Sequence, residues 1–197
     1  IVGGDHGDGR LRDQVVVLHG LDEVGVPYER AVGNGDVAGL LPDLDDLLRR
    51  ISPRITKRHL LVSIAAGKTL AGLQALVGDG VRLVRVMPNL ALQVGAGMSA
   101  FCRGPKARAA DGAAVRRILG AAGRVVELAE EHFDAVTALS GSGPAFFAYA
   151  LQALADGAAA EGLPPGTARL LAAQTMLGAA KVLLETGQDP AAFIQAV

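Results

Sequence analysis

Near Glu130 the chain changes texture, and this change limits the fold more than any other feature of the sequence. From Pro144 onward no segment shows the alternation or β-branched enrichment of a strand, and Ala-rich helical runs follow one another instead. One run is predicted over about residues 145–161 and is broken by Gly162-Leu163-Pro164-Pro165-Gly166. The next covers about residues 167–185 and stops at Thr186-Gly187-Gln188-Asp189-Pro190, where a further helix opens. Leu170, Leu171, Leu177, Leu183 and Leu184 leave Ala172, Ala173, Gly178, Ala179 and Ala180 as small contact positions. Helices this apolar must bury nearly all round, which a two-helix hairpin cannot satisfy by itself. A second copy of the chain would satisfy it.

Upstream the pattern is different. Val15-Val16-Val17-Leu18 and residues 60–64, 81–86, 98–101 and 124–128 read as strands, with helical spacing over 69–77 and 111–119. Residues 37–50 also have helical spacing, through Leu40, Leu41, Leu44, Leu47 and Leu48, after a turn at Gly33-Asn34-Gly35. Strands alternating with helices imply an α/β fold with a parallel sheet covered on both faces. The expected organisation is an α/β domain over residues 1–129, of which 1–30 match no pattern, then a helical domain over 130–197.

Charge and cysteine content narrow the function classes. A net charge of −1 offers no basic field for nucleic acid and no polybasic patch for a membrane surface. The single cysteine, Cys102, has no His or second Cys at ligand spacing, so neither a disulfide nor a metal site is expected. Asp156 and Glu161 interrupt the best apolar run before it reaches the ~18 residues of a membrane span. A soluble cytoplasmic protein is the expectation. The chain opens on Ile1 and stops soon after Asp189-Pro190 begins a new helix, as a part of a longer protein would.

Three places have the composition of a ligand site. Ser140-Gly141-Ser142-Gly143-Pro144 reads as a polar-glycine turn feeding a helix, either an ordinary cap or a cluster of free N–H groups for an anion such as a substrate carboxylate. Ala65, Ala66 and Gly67 end one strand with small residues, as a turn needs, and as a flat cofactor lying across the strand's carboxyl end also needs. Met87, Pro88 and Asn89 end the next strand, with Asn89 offering an amide to a ligand or to the turn itself. Glu130, Glu131, His132 and Asp134 follow, with solvated or helix-capping roles as the alternative to chemistry. The Gly-x-Gly-x-x-Gly dinucleotide loop is not formed by Gly3, Gly4, Gly7 and Gly9, whose spacing differs. No residue is assigned a catalytic role.

Taken in order, Val62-Ser63-Ile64-Ala65-Ala66-Gly67, Arg85-Val86-Met87-Pro88-Asn89, Ser140 to Pro144, Ala155-Asp156-Gly157, Gly162-Leu163-Pro164 and residues 171–181 closely resemble pyrroline-5-carboxylate reductase. The resemblance covers roughly residues 60–197 and, weakly, 31–48. It implies a partial Rossmann-type domain followed by a helical dimerisation domain, assembled as a homodimer or a ring of dimers. It implies NADPH or NADH as cofactor and a cyclic imine as substrate, reduced to proline. Carried over by position, Ala65, Ala66 and Gly67 with Met87, Pro88 and Asn89 would face the cofactor, and Glu130 the substrate. The family's opening Gly-x-Gly-x-Met-Gly loop has no counterpart in residues 1–30, its Val-Lys-Pro would fall at Val32-Gly33-Asn34, and its Ser-Pro-Gly-Gly-Thr-Thr loop would lie beyond Val197. Little or no activity is therefore expected of these residues alone. The rival expectations are a non-catalytic dimerisation module and another imine or β-hydroxyacid reductase.

Overall fold

Five short strands, each flanked by residues that favour turns, assemble into one sheet in a computed structural model that describes residues 15–18 and 44–197. The turn at Gly33-Asn34-Gly35, the first part of the helical pattern over 37–50 and most of residues 1–30 lie outside the described residues. The strands are β1 (Val15–Leu18), β2 (Leu60–Ser63), β3 (Arg82–Met87), β4 (Gly97–Arg103) and β5 (Gly123–Glu127). They lie in the order of the sequence, β1-β2-β3-β4-β5. Helix α1 (Leu44–Ile51) precedes β2, α2 (Leu70–Val77) joins β2 to β3, and α3 (Ala109–Gly120) joins β4 to β5.

Alternate residues of β2 to β5 feed two cores. Leu61, Leu83, Ala100 and Cys102 face one side, against Leu48 of α1, Leu73 and Val77 of α2, and Phe133. Leu60, Val62, Val84, Val86 and Phe101 face the other, against Val115 of α3. Burial on both faces is why β2 and β3 do not alternate apolar with polar residues, β3 being interrupted only by Arg82 and Arg85.

The α/β class holds, with one strand reversed. β1, β2 and β3 are parallel, as are β4 and β5, but β4 runs antiparallel to β3 with Met87 opposite Ala100. The connection explains it. Residues 88–96 hold only a 3-10 turn, Leu90–Val94, whereas a parallel crossover takes about a dozen residues and usually a helix.

The chain divides into two compact units at Ser142/Gly143. The second consists of α5 (Gly143–Ala160), α6 (Pro165–Thr186) and α7 (Pro190–Ala196). Gly162, with φ +99°, separates the first two of these helices, and the Asp189 carboxylate accepts from the Ala191 and Ala192 N–H groups to start the third. The long pair buries only Gly143, Ala155 and Ala168, while Phe146, Phe147, Tyr149, Leu170, Leu171 and Leu177 are exposed. The small positions do not all meet a neighbouring helix of this chain, since a Cβ added to Gly178 would reach nothing.

Candidate functional site

Because β2 and β3 are parallel and in register, with Ser63 opposite Arg85, the residues that leave their carboxyl ends share one edge of the sheet. Ala65, Ala66 and Gly67 leave β2 there, and Met87, Pro88 and Asn89 end β3 beside them. Ala65 is buried and its N–H faces the buried Ser63 hydroxyl at 3.4 Å. Ala66 and Gly67 are exposed, and Gly67 has φ +72° with open space where a Cβ would stand. Lys68 anchors the loop to α1 through Asp45, 2.7 Å away. Asn89 has a structural bond as well: its Oδ1 accepts from the Met98 N–H at 3.0 Å, which fixes the turn between β3 and β4. The strand ends are thus small, partly open and held from behind.

Glu130 does not stand among these residues. Its Oε1 accepts from the Leu70 N–H at 2.6 Å and from Arg85 Nη1 at 2.9 Å. The first bond satisfies a free amide in the first turn of α2, next to Thr69, whose hydroxyl accepts from the Gly72 N–H. A carboxylate there also meets the positive end of the helix dipole. Arg85 is almost fully buried and lies over the Phe133 ring, 4.7 Å from its centroid. Glu130 therefore caps a helix remote in sequence and neutralises a buried cation at once. His132 is exposed, 3.7 Å from Glu131, and Asp134 is exposed too.

The turn at residues 140–144 differs from its sequence reading. Instead of a break with a serine cap, a short helix, α4 (Phe133–Val136), runs into a π-helical turn, Thr137–Gly141, before α5 begins. The Ser142 N–H bonds the Thr137 carbonyl at 2.8 Å, so it is not free for an anion. The Ser140 hydroxyl donates back to the Val136 carbonyl at 3.1 Å, and the Thr137 hydroxyl to the Phe133 carbonyl at 2.7 Å. Backbone bonding of this kind competes with capping. Phe133 and Val136 pack on the sheet core, and this anchorage keeps the segment helical where its glycines suggest a loop.

Two buried arginines escaped the sequence reading. Arg82 pairs with Asp111 and donates to the Arg58 carbonyl at 2.8 Å, while Asp111 accepts from the Arg108 N–H at 2.7 Å in the capping box of α3. Arg85 pairs with Glu130. The signal was present: an arginine inside Val81-Arg82-Leu83-Val84-Arg85-Val86 enters a core and requires an acid there. A depression of about 560 Å³ is lined by Leu70, Cys102, Arg103, Glu127, Leu128 and Glu130 among others, and by none of residues 65–67 or 87–89. Among the described residues no three His, Cys, Asp or Glu side chains gather as a metal site would need, and no helix is long and apolar enough to cross a membrane.

Comparison with known proteins places these features. The sequence model for pyrroline-5-carboxylate reductase dimerisation matches residues 130–197. Pyrroline-5-carboxylate reductase of Glycine max is 43% identical over 145 residues, 74% of this chain and 53% of that protein. The Methanosarcina acetivorans reductase is 45% identical over 147 residues, 75% of this chain and 54% of that protein. Among solved structures, a pyrroline-5-carboxylate reductase from Coxiella burnetii superposes with a TM-score of 0.72 at 32% identity, over 77% of this chain and 57% of that one. The Plasmodium falciparum pyrroline carboxylate reductase, solved with NADP bound, gives 0.73 at 28% identity, over 78% and 61%. The chain spans about half the length of the curated relatives it matches. In sequence across both units, and in the sheet and helices just described, the chain is similar to the pyrroline-5-carboxylate reductases.

Proposed function

We propose that this chain is part of a cytoplasmic reductase that converts Δ1-pyrroline-5-carboxylate to proline with NADPH or NADH, the last step of proline synthesis. The observation that supports this best is the pair of strand ends, 65–67 and 87–89, side by side at the carboxyl edge of parallel strands. Open α/β sheets bind flat nucleotide cofactors at that edge. The residues present fit such a group, because Ala66 and Gly67 are small and exposed, and nothing fills the space beside Gly67. A reduced nicotinamide supplies the hydride when bound. Ala65, Ala66 and Gly67 would leave room for it, and Met87, Pro88 and Asn89 would flank it on a turn stiffened by the Asn89–Met98 bond. Glu130 enters this reading on the substrate side as a positioning residue, since its Oε1 already serves Leu70 and Arg85.

The exposed apolar side chains of α5 and α6 support a homodimer, itself able to build rings of dimers. The match of the dimerisation model to residues 130–197 favours a second reading, a dimerisation module without chemistry. NADPH fluorescence on titration with the chain separates the two. Binding is expected, and in the full-length protein that contains these residues NADPH absorbance should fall only when the imine is added. Self-association without NADPH binding would leave the second reading, and a full-length protein that turns over no imine would end the first.

A further inference from the structure

The segment that follows β5 is fastened along one face of β3. Glu130 and Phe133 hold Arg85, and Gly141, the last residue of the π-helical turn, comes against Met87. Arg85 and Met87 alternate on the same side of the strand, so the two contacts lie in line, the second at the carboxyl end. The contact at Gly141 is unusually close. A Cβ built on it would lie 2.6 Å from the Met87 methyl carbon, with Thr137 Cγ2 next at 3.7 Å. No other neighbour comes as near, and that methyl is the far end of a flexible, half-buried side chain. Any side chain at 141 must therefore move Met87, and Met87 can move without backbone adjustment. π-Helical turns recur at functional sites because the extra residue re-aims the backbone. Here it brings a residue without a side chain onto the terminal methyl of a strand-end methionine.

We propose that Gly141 is a positioning residue: it sets the place of the Met87 thioether at the end of β3, and through it the fit of a dinucleotide at that edge. This rests on the reading of residues 65–67 and 87–89 as the cofactor edge. Gly141 need not touch the ligand. The absence of its side chain lets the Met87 methyl lie against the π-turn.

Labelling the methionine methyl groups with ¹³C tests both halves separately, since the chain has only 3 methionines and Met87→Leu identifies the relevant signal. In Gly141→Ala without nucleotide, the Met87 methyl signal should shift while those of Met98 and Met176 stay in place. An unmoved Met87 signal overturns the proposal. In the wild-type chain NADP⁺ should perturb the Met87 signal, and Gly141→Ala should weaken NADP⁺ binding about tenfold, equivalent to about 1.4 kcal/mol. In a Met87→Ala background the same Gly141→Ala change should have no further effect on binding. A shifted signal with unchanged NADP⁺ affinity overturns the role of Gly141 and leaves the cofactor edge standing. A wild-type Met87 signal indifferent to saturating NADP⁺ overturns the cofactor edge itself, and the ligand half of the proposal with it.

Discussion

Cys102 and Glu130 show how one residue's surroundings decide its chemistry. Cys102 is buried opposite Arg85, and burial, reinforced by the Glu130 carboxylate, pushes its thiol from 9.0 up to about 12 against the opposing pull of Arg85. The folded state therefore keeps the proton where the unfolded chain would release it. Stability from this thiol is full below about pH 9 and is lost as pH rises through about 12. Urea unfolding followed across that alkaline window should show a steep fall for the wild type and a shallower one for Cys102→Ala. At neutral pH the thiol should resist alkylating reagents until the chain unfolds. At Glu130, replacement by Ala removes the acceptor for the Leu70 N–H and the counter-charge of Arg85 together. Its side chain is 31% exposed, so a loss of about 1–3 kcal/mol is expected in urea titrations. Glu130→Gln keeps an acceptor and should lose less. If both variants match the wild type, the clasp contributes nothing to stability.

Among the elements, α3 depends most on a single pair. Arg82 and Asp111 have side chains only 8% and 5% exposed, and Asp111 also caps the helix through the Arg108 N–H. Asp111→Ala removes the acceptor for the Arg108 N–H and one carboxylate contact of the buried Arg82 together, which costs about 1–3 kcal/mol. Chemical denaturation should show this as a lower midpoint with an unchanged slope. These pairs also mark the limit of what the sequence discloses. Strand and helix positions are legible because β2 to β5 contribute to two cores and read as bounded, mainly apolar segments, and because Thr69, Gly162 and Asp189-Pro190 punctuate the helices. The direction of β4 is not legible from its own residues, since hydrophobic pattern does not depend on direction. It becomes legible only in the brevity of residues 88–96. The π-turn is hidden because Ser140 and Gly141 have loop propensities, and the anchorage by Phe133 and Val136 that overrides them is tertiary. For the site, the shared edge of 65–67 and 87–89 follows from strand parallelism, whereas Glu130's partners lie 60 and 45 residues away and no local pattern links them.

At the scale of the whole molecule, the helical unit has more apolar surface than it covers. Leu177 is 59% exposed and Tyr149 81% exposed in the chain by itself. Sedimentation should therefore show a dimer or larger species, and Leu177→Asp should shift it toward monomer while the helical circular-dichroism signal persists. A wild-type chain that sediments as a monomer at micromolar concentration would contradict this. The sheet has a different consequence, for synthesis. Its described strands lie side by side in chain order, so among them each pairs with the one made just before it. A nascent chain leaving the ribosome N-terminus first can extend this sheet at a single growing edge, with no later strand inserted between two already paired. Each free edge then waits only for the next strand to emerge, which shortens the time in which it can pair with another chain.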